Sequence, residues 1–214
     1  MALDQFSAHR QDENEYILSP HSTAVLIIDM LNDFCVQGGA MVLPYADRLL
    51  GPQNAMLAAV RAAGGVVAFV NDAHRPGLRR DREYLKRSHH CVEGTWGAEV
   101  IDGLIRNDGD LCILKRRYSG FFNTDLDLTL KDMEIDTIIA MGVVTNICVR
   151  STVHDAFFHG YRVVVPEDCV AATGPREQAS SLYDIGTHFG VVSNSDAVAH
   201  ALANGAPVAN QIID

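Results

Sequence analysis

The sequence predicts a three-layer α/β/α domain around a doubly wound, mostly parallel sheet of six strands. Short runs rich in valine and isoleucine carry this prediction, and they begin near Ala24, Val66, Leu111, Thr137, Arg162 and Val191. These runs lack polar alternation, which is typical of parallel strands covered on both faces. Each run is followed by a segment with helix-forming character, so helical crossovers should join the strands. Ligands of such sheets bind at the carboxyl ends of the strands.

Helix signals lie between the predicted strands. Pro52 precedes an alanine-rich segment that stops at Gly64, a pattern typical of a helix start and its C-cap. Thr124 and Asp127 resemble a capping box that opens a helix. The other predicted helices extend over residues 125–133, 147–160 and 175–189.

Length and composition predict one domain over residues 1–214, with terminal extensions at 1–20 and 205–214. Seventeen Lys and Arg against 27 Asp and Glu give a net charge of -10, which repels nucleic acid and anionic membranes. The N-terminal residues lack signal-peptide features, and five cysteines without CxxC spacing favour reduced thiols. We therefore expect a cytoplasmic protein without nucleic-acid or membrane partners.

Residues 72–99 form a long irregular segment that follows the second predicted strand, as an active-site lid would. Its part 75–87 is strongly basic within an acidic chain. This basic part either attracts a substrate carboxylate, with an arginine as a bidentate clamp, or forms a solvated face.

Three reactive side chains follow predicted strands. Asp29 ends the first strand, Lys115 ends the third, and Cys148 follows the fourth at the start of a helix. A helix N-terminus and a nearby ammonium favour a thiolate, and Asp29 could carry the proton that amide hydrolysis through a thioester has to move. Each residue alone is also compatible with a structural role, as a turn cap, a solvated cation or a small buried side chain.

The segments 26–34, 115–122 and 142–149 resemble, in order, the three signature segments of the isochorismatase-like cysteine hydrolases. That superfamily includes nicotinamidases, N-carbamoylsarcosine amidohydrolases and ureidoacrylate amidohydrolases. The resemblance extends over roughly residues 20–200. It implies a catalytic triad of Asp29, Lys115 and Cys148 and homodimers or homotetramers.

The same resemblance implies a cis peptide bond between Val143 and Val144. The backbone N–H groups of Val144 and Cys148 would then form the oxyanion hole. Isochorismatases proper split a vinyl ether and lack the nucleophilic cysteine, so Cys148 favours the amidohydrolase branch.

Nicotinamidases also bind a divalent metal through residues that Asp72, His74 and His90 resemble. Two imidazoles and one carboxylate are adequate ligands for zinc or iron. The alternative is a hydrogen-bonded lid anchor without metal, and the expected chemistry requires no cofactor. Arg87 occupies the place of the aromatic residue that stacks on pyridine in nicotinamidases, which disfavours nicotinamide as the substrate.

The predicted function is a cysteine amidohydrolase that cleaves a small amide or a ureido or carbamoyl compound through a thioester and releases ammonia. Alternatives are a metal-assisted nicotinamidase-like deamidase, a vinyl-ether hydrolase and a non-catalytic binding protein on the same fold. The predicted substrate-binding residues are Phe34, Tyr118, Phe122, Arg87, Trp96 and Asn146.

Overall fold

A computed structural model describes residues 14–211 of the chain. Its centre is a parallel sheet of seven strands, flanked by helices. The strands are β2 (Thr23–Ile28), β3 (Val66–Asp72), β4 (Leu111–Lys115), β5 (Thr137–Val143), β6 (Arg162–Pro166), β7 (Val170–Ala171) and β8 (Val191–Ser193). The α/β fold class is confirmed.

The sheet has one strand more than the six that were predicted. Six strands follow the order β4-β3-β2-β5-β6-β8, and β7 pairs with the end of β5. Because β7 has only two residues, it leaves no run of apolar residues that a sequence pattern could reveal.

The helices are α1 (Asn32–Cys35), α2 (Leu50–Ala63), α3 (Leu126–Asp132), α4 (Arg150–Phe158), α5 (Pro175–Asp184) and α6 (Ser195–Asn204). Gly64 ends α2 with a φ of 84°, a left-handed conformation that favours glycine. π-helical turns at 145–149 and 185–189 precede α4 and follow α5. The predicted helices are therefore present.

The predicted capping box at Thr124 is wrong. The Thr124 hydroxyl accepts the N–H of Leu126 and donates to the carbonyl of Gly120, while Asp125 is the N-cap residue of α3. A local turn through Gly120 thus takes the place of the reciprocal cap.

Beyond the large sheet, β1 (Glu15–Ile17) pairs antiparallel with β9 (Pro207–Ala209). The predicted terminal extensions meet in this two-stranded sheet. Their residues 1–13 and 212–214 lie outside the described part of the chain. Within residues 14–211, every helix is too short or too polar to span a lipid bilayer.

The strand order reverses between β2 and β5, since β3 and β4 lie on one side and β6 and β8 on the other. Gly142 in β5 has a φ of 121°, and an added Cβ would lie 2.0 Å from the carbonyl oxygen of Ile28. Only glycine allows β5 to approach β2 this closely. The switch point at which such sheets bind ligands therefore lies beside the ends of these two strands.

Candidate active site

The parallel register places acidic and basic side chains at neighbouring strand ends. Asp72 at the end of β3 pairs with Lys115 at the end of β4. Asp29 follows β2 directly, and its Oδ1 accepts the backbone N–H of Asp72 at 2.7 Å. Asp29 has a φ of 54°, so the chain turns sharply as it leaves the sheet. The three residues are thus fixed by backbone pairing.

The structure brings the predicted triad together. The Nζ atom of Lys115 lies 2.8 Å from Asp29 Oδ2 and 3.7 Å from Cys148 Sγ. Asp29 and Lys115 are fully buried, and Cys148 is 5% exposed. A buried ammonium is costly unless it is paired, and here it contacts both reactive groups.

Lys115 is a fixed positive charge. Burial lowers its pKa, but the negative charges of Asp29, Cys148 and Asp72 outweigh burial and raise the pKa well above its usual value. Burial also raises the pKa of Asp29, against the opposing charge of Lys115. A carboxylate with a raised pKa is a better proton acceptor, which suits a general base.

Burial opposes the thiolate that a helix N-terminus and a nearby ammonium favour at Cys148. Burial raises the pKa of this thiol well above its usual value, and the charge of Asp29 adds to that, while Lys115 acts in the opposite direction. One buried ammonium cannot fully neutralise both a thiolate and a carboxylate, which disfavours the ionisation of both groups at once.

The turn that carries Cys148 has the expected backbone. The peptide bond between Val143 and Val144 is cis. The carbonyl of Val144 accepts the N–H groups of Ile147 and Val149, which closes the π-helical turn 145–149 around Cys148. Val144 and Cys148 both line the cavity described next.

Cys148 lies in a small cavity of about 30 Å³. This cavity adjoins a larger one of about 220 Å³, and residues Phe34, Met41, Arg87, Val144 and Ile147 line both. Aromatic and aliphatic side chains dominate the walls, as in most small-molecule sites.

Three of the six predicted substrate-binding residues, Phe34, Tyr118 and Arg87, line the cavity at Cys148. The other three do not line it. Trp96 and Phe122 are about half exposed. Asn146 instead holds a neighbouring loop, since its Oδ1 accepts the N–H of Thr173 and its Nδ2 donates to the Thr173 hydroxyl.

A second polar cluster lies beside the triad. Asp72, His74 and His90, which the sequence proposed as metal ligands, are joined by Glu83, and one ligand atom from each lies within 4.8 Å of the others. All four side chains are buried. Oδ1 of Asp72 and Oε1 of Glu83 are buried without a hydrogen-bond partner.

The orientation of both imidazoles suits metal binding. His74 Nδ1 contacts Asp81 Oδ2 at 2.7 Å, and His90 Nδ1 donates to the carbonyl of Ser88 at 2.7 Å. Their Nε2 atoms point to Asp72 Oδ2, at 3.2 and 3.4 Å. Outer hydrogen bonds that fix the ring in this way are typical of metal-binding histidines. The donor set therefore fits a divalent cation.

Burial lowers the pKa of His74, but its bonds to Asp72 and Asp81 raise it to about 9 overall. The pKa of Asp72 is lowered because Lys115 and both histidines outweigh burial. Without a metal, the cluster is thus an array of ion pairs.

Sequence reasoning missed Asp81 and Glu83, which lie within an arginine-rich run. In such a run a sequence pattern predicts exposed, solvated carboxylates. In the folded chain the course of residues 72–99 buries both side chains. Asp33 was missed as well. Its Oδ1 accepts the N–H of Ala40 and its Oδ2 that of Cys91, which ties the chain neighbours of the cavity-lining residues Met41 and His90 to α1.

Known proteins resemble this chain in sequence and in fold. The model of the isochorismatase domain family matches residues 23–197. The chain belongs to the isochorismatase family. The ureidoacrylate amidohydrolase of Klebsiella pneumoniae is 33% identical, and the match covers 89% of this chain and 91% of that protein.

Solved structures of the isochorismatase family are also similar. A cysteine hydrolase from Pseudomonas syringae pv. phaseolicola has a TM-score of 0.84 and 30% identity, covering 89% of this chain and 97% of that one. An N-carbamoylsarcosine amidase from Thermoplasma acidophilum has a TM-score of 0.71 and 35% identity, covering 82% and 97%. The protein is an isochorismatase-family amidohydrolase, an enzyme that acts on non-peptide C–N bonds.

Proposed function

We propose that the protein is a cysteine amidohydrolase that cleaves a small primary amide, or a ureido or carbamoyl compound, through a thioester on Cys148 and releases ammonia. One observation carries this proposal: Lys115 Nζ contacts both Asp29 Oδ2 and Cys148 Sγ at the foot of a cavity. A vinyl-ether hydrolase has no use for a thiol at this position.

The first half of the reaction forms the thioester. Asp29 takes the thiol proton as the sulfur attacks the amide carbon, and the negative charge passes to the carbonyl oxygen. The backbone N–H groups of Val144 and Cys148 are proposed to stabilise this oxyanion. When the C–N bond breaks, Asp29 gives the proton to the leaving nitrogen, which departs as ammonia.

The second half restores the enzyme. Asp29 takes a proton from a water molecule, whose oxygen attacks the thioester carbon. The C–S bond then breaks, the acid product leaves, and the proton returns from Asp29 to the sulfur. Lys115 stays protonated throughout, because its pKa is raised well above its usual value. Its ammonium compensates the negative charge on whichever of Asp29 and Cys148 is ionised.

A metal-assisted variant of this activity is a second candidate, favoured by the quartet of Asp72, His74, Glu83 and His90. These residues would hold the ion. A bound divalent cation supplies Lewis acidity next to the cavity. Asp72 and Glu83 both line that cavity, so a cation held there would lie within reach of a polar substrate group.

Ammonia release from a panel of amides, carbamoyl amino acids and ureido acids tests the proposal. We expect turnover with part of the panel and a loss of at least about 10⁴-fold in kcat for Cys148→Ala, because the nucleophile is removed. Cys169→Ala is the matched control, since Cys169 is also buried but does not line the cavity. Full activity of Cys148→Ala would contradict the mechanism.

A further inference from the structure

Strand pairing does not join Lys115 and Cys148 directly. Lys115 ends β4 and Cys148 lies beyond the end of β5, and in the sheet order β3 and β2 lie between these two strands. Backbone pairing therefore fixes Lys115 relative to β3, but the turn that carries Cys148 is placed by other contacts. The distance of 3.7 Å between Lys115 Nζ and Cys148 Sγ depends on these contacts.

Thr152 in α4 connects the two segments. Its Oγ1 donates to the carbonyl of Cys148 at 2.8 Å and accepts the backbone N–H of Gly120 at 3.0 Å. Gly120 belongs to the loop that follows Lys115 at the end of β4. One hydroxyl thus holds the turn of the nucleophile against the loop that follows the ammonium.

The chemistry of the two partners fixes the direction of both hydrogen bonds. A backbone N–H only donates and a carbonyl only accepts, so the single hydroxyl proton of Thr152 points to Cys148. The side chain of Thr152 is fully buried, and solvent water therefore does not compete for the hydroxyl. In such a chain each hydrogen bond polarises the next, which strengthens both.

The loop at Gly120 packs closely against β3 and α4. A Cβ atom at Gly120 would lie 2.7 Å from Val70 Cγ1 and 3.4 Å from Thr152 Cγ2. The carbonyl of Gly120 also accepts a hydrogen bond from the Thr124 hydroxyl. Because the loop is held in this way, it is a firm anchor for the turn of Cys148.

The relative position of sulfur and ammonium affects the reaction. Burial raises the pKa of Cys148, and the charge of Lys115 acts in the opposite direction. The attraction between the thiolate and the ammonium weakens as Sγ and Nζ move apart. A displacement of about 1 Å in a reacting group can lower a rate about 100-fold.

We infer that Thr152 is a positioning residue of the reaction, whose hydroxyl holds the turn of Cys148 against the loop after Lys115 and so keeps sulfur and ammonium in contact. Thr152 lines neither cavity, so it acts through these two residues and does not contact the substrate. The inference rests on the proposed cysteine amidohydrolase function.

Substitutions at Thr152 separate the role of the hydroxyl from that of the rest of the side chain. Thr152→Val keeps the shape but removes both hydrogen bonds, so we expect kcat for ammonia release to fall about 10- to 100-fold. KM should change by no more than about twofold, because the cavity walls are unaltered. Thr152→Ser keeps the hydroxyl and should retain at least about half of the wild-type kcat.

Thr23→Val is the matched control for the loss of a buried hydroxyl. Thr23 is also fully buried, and its Oγ1 donates to the carbonyl of Ser19 at 2.7 Å, at the amino end of β2. Both valine variants should melt about 2–8 °C below the wild type, but only Thr152→Val should lose kcat. The same loss of kcat in both would contradict a positioning role. If valine is not tolerated at position 152, Thr152→Ala removes the same bonds and is held to the same expectations.

Alkylation of Cys148 tests the inference without a substrate. The rate at which iodoacetamide labels the peptide that contains Cys148 reports the thiolate, and its pH profile reports the pKa of the thiol. Thr152→Val should move this profile to higher pH and slow the labelling at about pH 8 by about 3- to 10-fold, because the thiolate loses part of its attraction to Lys115. Thr152→Ser and Thr23→Val should keep the wild-type profile.

The alkylation result separates this inference from the proposed function. A shifted profile in Thr152→Val, restored in Thr152→Ser, would support the role of Thr152 even if the wild type released no ammonia from the panel. An unchanged profile in the folded Thr152→Val protein would overturn the inference and leave the amidohydrolase function intact.

Discussion

The two walls of the active site are built in different ways. The triad wall stands on the ends of parallel strands, where backbone pairing fixes Asp29, Asp72 and Lys115. The lid wall, residues 73–99, has little regular structure and is held by side-chain contacts such as Arg116 with Glu93 and His74 with Asp81. In the proposed mechanism the first wall supplies the reacting groups, and the second contributes charged side chains that line the cavity at Cys148. In such an arrangement a rigid scaffold holds the reacting groups in place, and a loop contributes the residues that determine specificity.

The largest effect should come from the triad wall. Asp29→Asn removes the proton acceptor but keeps the shape of the side chain, so we expect kcat to fall about 10²- to 10⁴-fold. The fold should persist, because Asp72 Oδ1 lies 3.7 Å from Lys115 Nζ and still pairs with it. Steady-state ammonia release and thermal melts measure both quantities.

Asp132→Asn, at the exposed end of α3, is the control for this substitution. It should match the wild type in both assays. An Asp29→Asn protein with the wild-type rate would contradict the proposed role of the triad wall. Asp29 would then be neither the general base nor the general acid of the reaction.

The second-largest effect concerns Zn²⁺ binding by the quartet of Asp72, His74, Glu83 and His90. The pKa of His74 is raised to about 9, so this ring is protonated at neutral pH in the metal-free protein. A metal ion needs the deprotonated ring, and binding below pH 9 therefore releases a proton. We expect the affinity for Zn²⁺ to rise about 100-fold from about pH 6.5 to 8.5, measured by competition with a chromogenic chelator.

His90→Asn should weaken this Zn²⁺ binding, because His90 Nε2 points into the quartet. His21→Asn changes an exposed histidine far along the chain and should not. An affinity that stays constant across this pH range would show that His74 is not a ligand.

The smallest effect should come from Trp96→Ala. The side chain of Trp96 is 49% exposed and lines neither cavity, although its backbone carbonyl accepts a hydrogen bond from Asn32. We expect kcat/KM to change by no more than about twofold, as for most surface substitutions. A loss of kcat/KM above tenfold would show that the Trp96 side chain contacts the substrate, which its position outside both cavities does not predict.

The sequence predicted the triad wall better than the lid wall. Asp29, Lys115 and Cys148 follow strands with strong apolar patterns, and parallel pairing then determines where the side chains meet. The burial of Asp81 and Glu83 and the path of the chain at Trp96 depend on the packing of an irregular segment. No periodicity reports on such packing, so the buried carboxylates could not be told from solvated ones.

The environment of Cys148 shows a different limit of sequence reasoning. The position after β5 predicted a helix N-terminus and a nearby lysine, and both are present. The sequence did not reveal how deeply the thiol is buried or that Asp29 shares the same ammonium. Burial and this shared charge decide the direction of the pKa shift.

The most direct test of the central claim is mass spectrometry of the peptide that contains Cys148, after acid quenching of a single turnover. The account predicts that this peptide gains the mass of the acyl group and loses it again as the acid product appears. Cys148→Ala should show neither the adduct nor the product. Product formation at the full rate without any adduct on Cys148 would contradict the thioester mechanism.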